Sequence, residues 1–231
     1  MLLGLPRHEV RVMGPWLLAL PLFVACLFAV AVAMMGLKGA PQVNISNMAI
    51  AGIEGAVPLV AGIGAAWITT QDSALELQLS LPVPYRLTVW RRMALLLIWS
   101  ALIEVLAVIL VVVFWPWMLP VGSPVEYLLV WLAPLLWFTA WGAGLALALR
   151  NRVASVALLG VVWVAELLFH ETLATHGWTQ AVFVFATMFD AGTSFWGTNR
   201  AELVGTAVFL LFAIWWYLGN SEWCWLRGEE R

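Results

Sequence analysis

Long apolar runs separated by short polar connections dominate the pattern along the chain. Six of these runs are long enough, or nearly so, to cross the ~30 Å hydrocarbon core of a bilayer as α-helices. They predict spans near residues 14–36, 48–70, 93–115, 125–149, 153–170 and 201–219. The sequence therefore predicts an all-α integral membrane protein with six transmembrane helices, in a single transmembrane domain covering residues 1–231.

Composition supports insertion into a membrane. Hydrophobic residues make up 64% of the chain and charged residues 10%, whereas soluble domains average ~45–50% and ~25%. So much apolar surface requires lipid as its solvent. The run from Val12 to Met35 also exceeds the ~7–15 apolar residues of a typical signal peptide, which favours a membrane anchor.

The basic residues predict the orientation of the spans. Nine of the eleven fall on one side of the membrane when the six spans alternate: Arg7, Arg11, Arg86, Arg91, Arg92, Arg150, Arg152, Arg227 and Arg231. Lys38 and Arg200 fall on the other side. Because basic residues concentrate in cytoplasmic loops, both termini are expected in the cytoplasm.

The connection before the last span contains a further apolar patch. Ala181–Phe189 is too short to cross a bilayer, and short apolar runs are more often re-entrant or interfacial. We expect residues 171–200 to form an external, partly buried, re-entrant-like helical segment.

The connection over residues 71–92 contains alternating leucines, a pattern that by itself suggests a strand. Ser73 and Glu76 nevertheless have the spacing of a capping box, and Pro82 would end a helix at Leu81. The sequence predicts a short helix over Ala74–Leu81, whose exposed leucines need lipid or a protein partner as cover.

The run from Ser73 to Pro84, followed by Arg86 and Arg91, resembles the first cytoplasmic loop of type-2 ABC exporter permeases. Ala74 departs from that family's pattern, where a small polar residue or Thr is commoner. Six spans, cytoplasmic termini and a broken external segment also fit the family. The segment Arg7–Arg11 is similar to the amphipathic helix that precedes the first span in these proteins.

The resemblance implies a permease subunit that exports an unidentified amphipathic or hydrophobic substrate, using ATP hydrolysed by a separate subunit. The short helix would be the coupling helix, with Ser73, Leu75, Glu76, Leu77, Leu81, Pro82, Val83 and Arg86 as its coupling residues. The chain's one lysine, Lys38, lacks the phosphate-binding motif of ATPases, so no cofactor is expected in this chain. ATP and Mg would be held by two partner ATP-binding subunits.

The same resemblance implies a homodimer, or a heterodimer with a similar permease, in a bacterial plasma (inner) membrane. No nucleic-acid partner is expected.

Three acidic residues fall inside predicted spans and at least four residues from their ends: Glu54, Glu104 and Glu166. Such residues are costly in a bilayer and usually face the bundle interior or water. We interpret them as part of a translocation path or as helix locks; the alternative for Glu54 and Glu166 is a position near the interface. Pro58 and the surrounding glycines predict close packing or a bend in the second span.

Other functions remain open from the sequence. A haem-exporter permease of cytochrome c maturation has a similar length and loop. An intramembrane hydrolase would depend on His170 or His176, although their spacing is not that of a metal-binding helix and predicts neither a metal site nor catalytic residues. A secondary transporter predicts inverted repeats, which the sequence does not show.

Overall fold

The computed structural model describes residues 14–70, 85–115, 123–190 and 194–228, and every regular element in these ranges is a helix. The long helices are α1 (Pro15–Leu37), α2 (Gln42–Thr70), α3 (Tyr85–Phe114), α4 (Pro124–Leu149), α5 (Arg152–Leu168) and α9 (Trp196–Gly228). Between α5 and α9 lie three short helices: α6 (His170–Thr175), α7 (Gly177–Gln180) and α8 (Ala186–Asp190). Residues 170–190 are called the broken segment below.

Five of the described helices, α1, α2, α3, α4 and α9, are long and apolar enough to cross a membrane. The predicted span at 153–170 corresponds to α5, which has 17 residues and a length of about 25 Å. α5 ends where the chain bends at Phe169, and α6 begins one residue later.

Three helices begin five or more residues before the predicted spans, among them α9, which begins at Trp196 instead of residue 201. α2 begins at Gln42 and α3 at Tyr85, so residues 85–92 of the predicted 71–92 loop are helical. Arg91 and Arg92 are good helix formers, and no proline or glycine follows Pro84 before residue 93. Arg91 and Arg92 mark where the third span is expected to leave the hydrocarbon core, but α3 extends beyond that point to Tyr85.

The outer faces of the helices are apolar. Large side chains of α9 lie open on the surface, with Phe209 73% and Phe212 64% exposed, and α3 presents Leu106 and Val113 in the same way. A contiguous apolar exterior of this kind is unstable in water. Together with the five long apolar helices, it identifies a multi-pass membrane protein.

The long helices alternate in direction. One buried cluster joins the start of α1, the end of α2 and the start of α3 through Leu17, Ile68 and Val89. A second cluster, at the opposite end, joins the start of α2, the end of α3 and the start of α4 through Ile45, Val111 and Val130. α9 begins in the second cluster at Trp196 and reaches the first at Leu218.

α5 follows the same alternation, because the Arg152 guanidinium lies over the Trp67 ring at 4.1 Å, near the end of α2. We call this side the basic end, since it holds Arg86, Arg91, Arg92, Arg150 and Arg152. There the Arg86 guanidinium lies 5.0 Å from the Trp215 ring of α9. Arg86 therefore fastens the first turn of α3 to α9.

α2 and α4 form the centre of the bundle, and glycines allow their backbones to touch. A Cβ atom built on Gly142 of α4 would lie 2.0 Å from the Gly62 carbonyl oxygen. A Cβ atom on Gly62 would lie 2.6 Å from the Phe138 carbonyl oxygen. Small residues at such crossings are typical of helix packing in membranes, and the close packing predicted from the glycines of the second span is confirmed.

We expect Gly142→Ala to destabilise the protein by ~1–3 kcal/mol, because the added methyl group would push α4 away from α2. Gly160→Ala is the matched control, since a Cβ atom at Gly160 meets nothing within 4 Å. Thermal unfolding in detergent measures both variants. Equal melting temperatures for Gly142→Ala and Gly160→Ala would contradict the contact.

Candidate functional site

A π-helical turn interrupts α2 at Ala51–Ala56. Pro58 follows it, and a proline cannot donate a backbone hydrogen bond to the residue four positions earlier, Glu54. Its ring would also clash with the Glu54 carbonyl in a regular α-helix, and the wider turn relieves that clash. π turns of this kind occur frequently at functional sites.

Glu54, inside the π turn, is fully buried and forms an ion pair with Arg200 of α9, which is also fully buried. Its carboxylate accepts two further hydrogen bonds from the backbone of the broken segment. Thr187 N–H donates to one oxygen at 2.9 Å and Met188 N–H to the other at 3.0 Å. A single side chain of α2 thus binds both α9 and α8.

Arg200 makes several contacts besides the one with Glu54. Both terminal nitrogens of its guanidinium donate to the Val184 carbonyl oxygen at 3.1 Å, and Nη2 also donates to Thr187 Oγ1 at 3.0 Å. Trp196 Nε1 donates to the same hydroxyl at 3.0 Å, and its ring lies 5.5 Å from the guanidinium. Arg200 therefore closes a network with the broken segment on one side and α2 on the other.

Glu166 holds the broken segment from α5. Its carboxylate accepts a hydrogen bond from Val184 N–H at 2.8 Å. From α9, Asn199 Nδ2 donates to the Phe183 carbonyl oxygen at 2.9 Å. The backbone N–H and C=O groups of the broken segment are buried and need hydrogen-bond partners. Side chains of α2, α5 and α9 provide them.

We call Glu54, Glu166, Thr187 and Arg200 the ion-pair cluster. Gly55 allows the cluster to close, because a Cβ atom there would lie 2.4 Å from Phe185 Cε1 and 2.9 Å from Trp163 Nε1. Phe185 and Trp163 pack edge to face, with centroids 6.0 Å apart. The aromatic side chains thereby cover the charged groups.

A second feature lies on another side of α2, between α1, α2 and α3, towards the same end of the bundle as the ion-pair cluster. It is a cavity of about 330 Å³. Its walls are almost entirely apolar, with Phe28 from α1, Ile53 and Val57 from α2, and Val111 from α3. Gly52, in the π turn, allows the Phe28 ring to approach α2, since a Cβ atom there would lie 2.8 Å from Phe28 Cδ1.

Glu104 of α3 is the one acidic residue among those that line the cavity, and no basic residue lines it. It is fully buried, and neither carboxylate oxygen has a hydrogen-bond partner within the described ranges. The hydroxyl of Ser100, one turn earlier on α3, is likewise buried without a described partner. A buried carboxylate without a partner is costly and calls for an explanation.

The structure brings two of the three predicted acidic residues together. Glu54 and Glu166 both bind the broken segment and are buried by protein, which are the contacts that the helix-lock interpretation requires. The alternative of a position near the membrane interface stays a prediction. Glu104 lies apart from them, against the cavity.

Of the predicted coupling residues, Ser73, Leu75, Glu76, Leu77, Leu81, Pro82 and Val83 lie outside the described residues. Arg86 is described and packs on α9.

The sequence predicts Arg200 in the external connection before the last span and gives no role to it. The structure has it in the first turns of α9, fully buried. A signal was present, because Arg200 is one of two basic residues that violate the charge asymmetry. A buried basic residue and an acid inside an apolar helix are each costly alone, and the ion pair between Arg200 and Glu54 accounts for both.

The two histidines considered for hydrolase chemistry make local contacts. His170 stacks on the Phe189 ring, with centroids 4.0 Å apart, and its Nδ1 lies 3.1 Å from the Leu167 carbonyl oxygen. His176 is exposed and lies beside Thr175. Within the described part of the chain, no group of three or more His, Cys, Asp or Glu residues could hold a metal ion.

Comparison with protein-family models, with curated proteins and with solved structures finds no match to this chain.

We expect Arg200→Met to lower the free energy of unfolding by ~3–5 kcal/mol, because it leaves the Glu54 carboxylate buried without its cation. Glu54→Gln/Arg200→Met should be less destabilised than Arg200→Met alone, since a neutral amide needs no counter-ion. Unfolding in detergent measures the coupling between the two positions. Glu202→Gln, at an exposed carboxylate of α9, is the control; additive effects of the paired substitutions would contradict the ion pair.

Proposed function

We propose that this chain is the membrane-spanning permease subunit of an ABC exporter, driven by ATP hydrolysis on a separate subunit. The observation that carries the proposal is the course of α2 and α3. Residues 71–84 join these two helices at the basic end, and the same two helices line the cavity towards the opposite end. A partner that moves the connection would therefore act on the cavity walls.

The proposal includes six spans, with α5 as a short one. Its ~25 Å is slightly below the ~30 Å of a typical hydrocarbon core, a mismatch that membranes accommodate at modest cost. The alternation of α1, α2, α3, α4, α5 and α9 supports this topology. The five arginines of the basic end then lie in the cytoplasm, together with both termini.

In this arrangement the connection over residues 71–84 faces the cytoplasm, where an ATP-binding subunit is available. The resemblance of Ser73–Pro84 to the coupling loop of type-2 exporters supports its role as the contact. Arg86 follows directly and binds the Trp215 ring of α9. Motion of the coupling helix would thus pass into α3 and, through Arg86, into α9.

In this mechanism the ion-pair cluster holds the helices together at the end of the bundle opposite the basic end. It joins α2, α5 and α9 to the broken segment, so the external side moves as one body. α1 and α3 contribute the remaining cavity walls and are joined to each other by a hydrogen bond from Trp99 Nε1 to the Leu18 carbonyl oxygen, 2.7 Å long. Displacement of α3 relative to α2 would change the cavity.

The proposed assembly contains two copies of this chain, or one copy and a similar permease, with two ATP-binding subunits in a bacterial plasma membrane. One chain offers one coupling segment, and two such halves would provide the paired contacts that two ATPase subunits need.

We expect Leu77→Ser/Leu81→Ser to insert normally but to lose the ATP-binding subunit on purification in mild detergent, and with it ATP-driven transport. Each leucine leaving an apolar cleft costs ~1.5–3 kcal/mol. Ser73→Ala should give a weaker defect, because a lost helix cap costs ~1 kcal/mol. The readouts are the ATPase activity and the stoichiometry of the purified complex.

Leu37→Ser is the matched control, since Leu37 is 89% exposed and lies at the opposite end of the bundle. It should retain the ATPase subunit. A double variant of Leu77 and Leu81 that keeps the ATPase subunit at normal stoichiometry and keeps transport would contradict the coupling assignment.

A further inference from the structure

We propose that the cavity between α1, α2 and α3 binds a compact hydrophobic amine in its protonated form, with Glu104 as the counter-ion. The binding site stands on the geometry of the cavity. The role of such an amine as the exported substrate rests in addition on the proposed function.

The size and the lining of the cavity define the apolar part of the ligand. About 330 Å³ lies at the lower end of the ~300–1,000 Å³ typical of small-molecule pockets. Phe28, Ile53, Val57 and Val111 provide aromatic and branched aliphatic surface. A compact hydrocarbon body fits this lining, whereas a highly polar ligand such as a sugar or a nucleotide would lose its hydration without replacement.

Glu104 defines the charge of the ligand. Its carboxylate is fully buried, and no described residue donates a hydrogen bond to either oxygen. This contrasts with Glu54 and Glu166, whose carboxylates bind backbone N–H groups or Arg200. Both oxygens lie beneath the cavity surface, so a ligand reaches them once the side chain turns towards the cavity. An ammonium group offers up to three donors and a positive charge, so one ligand group would then satisfy both oxygens.

The donor set favours an organic cation over a metal ion. Hard metal ions bind through about six or more oxygen ligands, and Glu104 is the single carboxylate that lines the cavity. The neighbouring Ser100 hydroxyl, buried and without a described partner, could provide one more acceptor if the side chain turns. One carboxylate and one hydroxyl suit an ammonium group.

The route into the cavity also suits a hydrophobic ligand. Leu22 of α1 and Leu106 and Phe114 of α3 line the cavity and are also exposed on the outer surface, by 42%, 55% and 64%. The mouth therefore opens between α1 and α3 on the apolar exterior of the bundle. An amine that partitions into the bilayer would enter the cavity from the lipid.

The test uses the full chain in lipid nanodiscs and tritiated 1-aminoadamantane, a compact cage hydrocarbon with one ammonium group. Binding is measured by scintillation proximity, with protein-free nanodiscs as background and unlabelled 1-adamantanol as the neutral competitor of nearly equal shape. The variants are Glu104→Gln, which removes the charge, and Ala107→Phe, which fills the cavity at a lining residue. Glu202→Gln, at an exposed carboxylate of α9, is the matched control.

We expect saturable binding to the wild type and to Glu202→Gln. Glu104→Gln should weaken binding roughly tenfold or more, because the charge-assisted hydrogen bond is lost, and Ala107→Phe should abolish it. 1-Adamantanol should compete at least roughly tenfold more weakly than unlabelled 1-aminoadamantane.

Wild-type binding no greater than that of empty nanodiscs would overturn the proposal, as would unchanged binding by Glu104→Gln or equal competition by the alcohol. If Glu104→Gln fails to fold, the comparison of amine and alcohol on the wild type decides. Amine binding by a chain that retains no ATPase subunit would leave this site intact and contradict the exporter function. A chain that retains the ATPase subunit but binds no amine would contradict this site and leave the exporter function intact.

Discussion

The buried ion pair between Glu54 and Arg200 is the interaction on which the rest of this end of the molecule depends. Neither group would be stable alone in an apolar bundle. Each is stabilised by the other and by the broken segment, which contributes two backbone N–H groups to Glu54 and a carbonyl oxygen to Arg200. The pair therefore fixes the position of α8 relative to α2 and α9, and a segment too short to cross a membrane becomes part of the core.

The π turn of α2 connects this ion pair with the cavity. Residues 51–56 present Glu54 and Gly55 to the broken segment, whereas Gly52 and Ile53 face the cavity between α1 and α3. The π turn thus lies between two different acids. Glu54 has hydrogen-bond partners for both oxygens, whereas Glu104 of α3 has no described partner. The difference in their surroundings is the basis for the different roles that we propose: Glu54 stabilises the fold, and Glu104 binds a ligand.

Much of the bundle could be predicted from the sequence, because the length of an apolar run and the charges beside it are visible in a short stretch of sequence. Five of the predicted spans have long apolar helices as counterparts, and the glycines of α2 correctly indicated close packing. The start of α3 could not be predicted in this way, because charged residues continue a helix beyond the apolar run. The buried state of Arg200 depends on Glu54, 146 residues away in sequence, and a pairing over that distance has no local pattern.

The most direct test of the central claim is amide hydrogen exchange of residues 183–189, measured by mass spectrometry in wild type and in Glu54→Leu. Thr187 and Met188 donate their N–H groups to Glu54, so loss of the carboxylate should accelerate exchange in this peptide. Protection in α4, which does not contact Glu54 through hydrogen bonds in the described structure, should stay at the wild-type level. Unchanged exchange of residues 183–189 in Glu54→Leu would contradict the account.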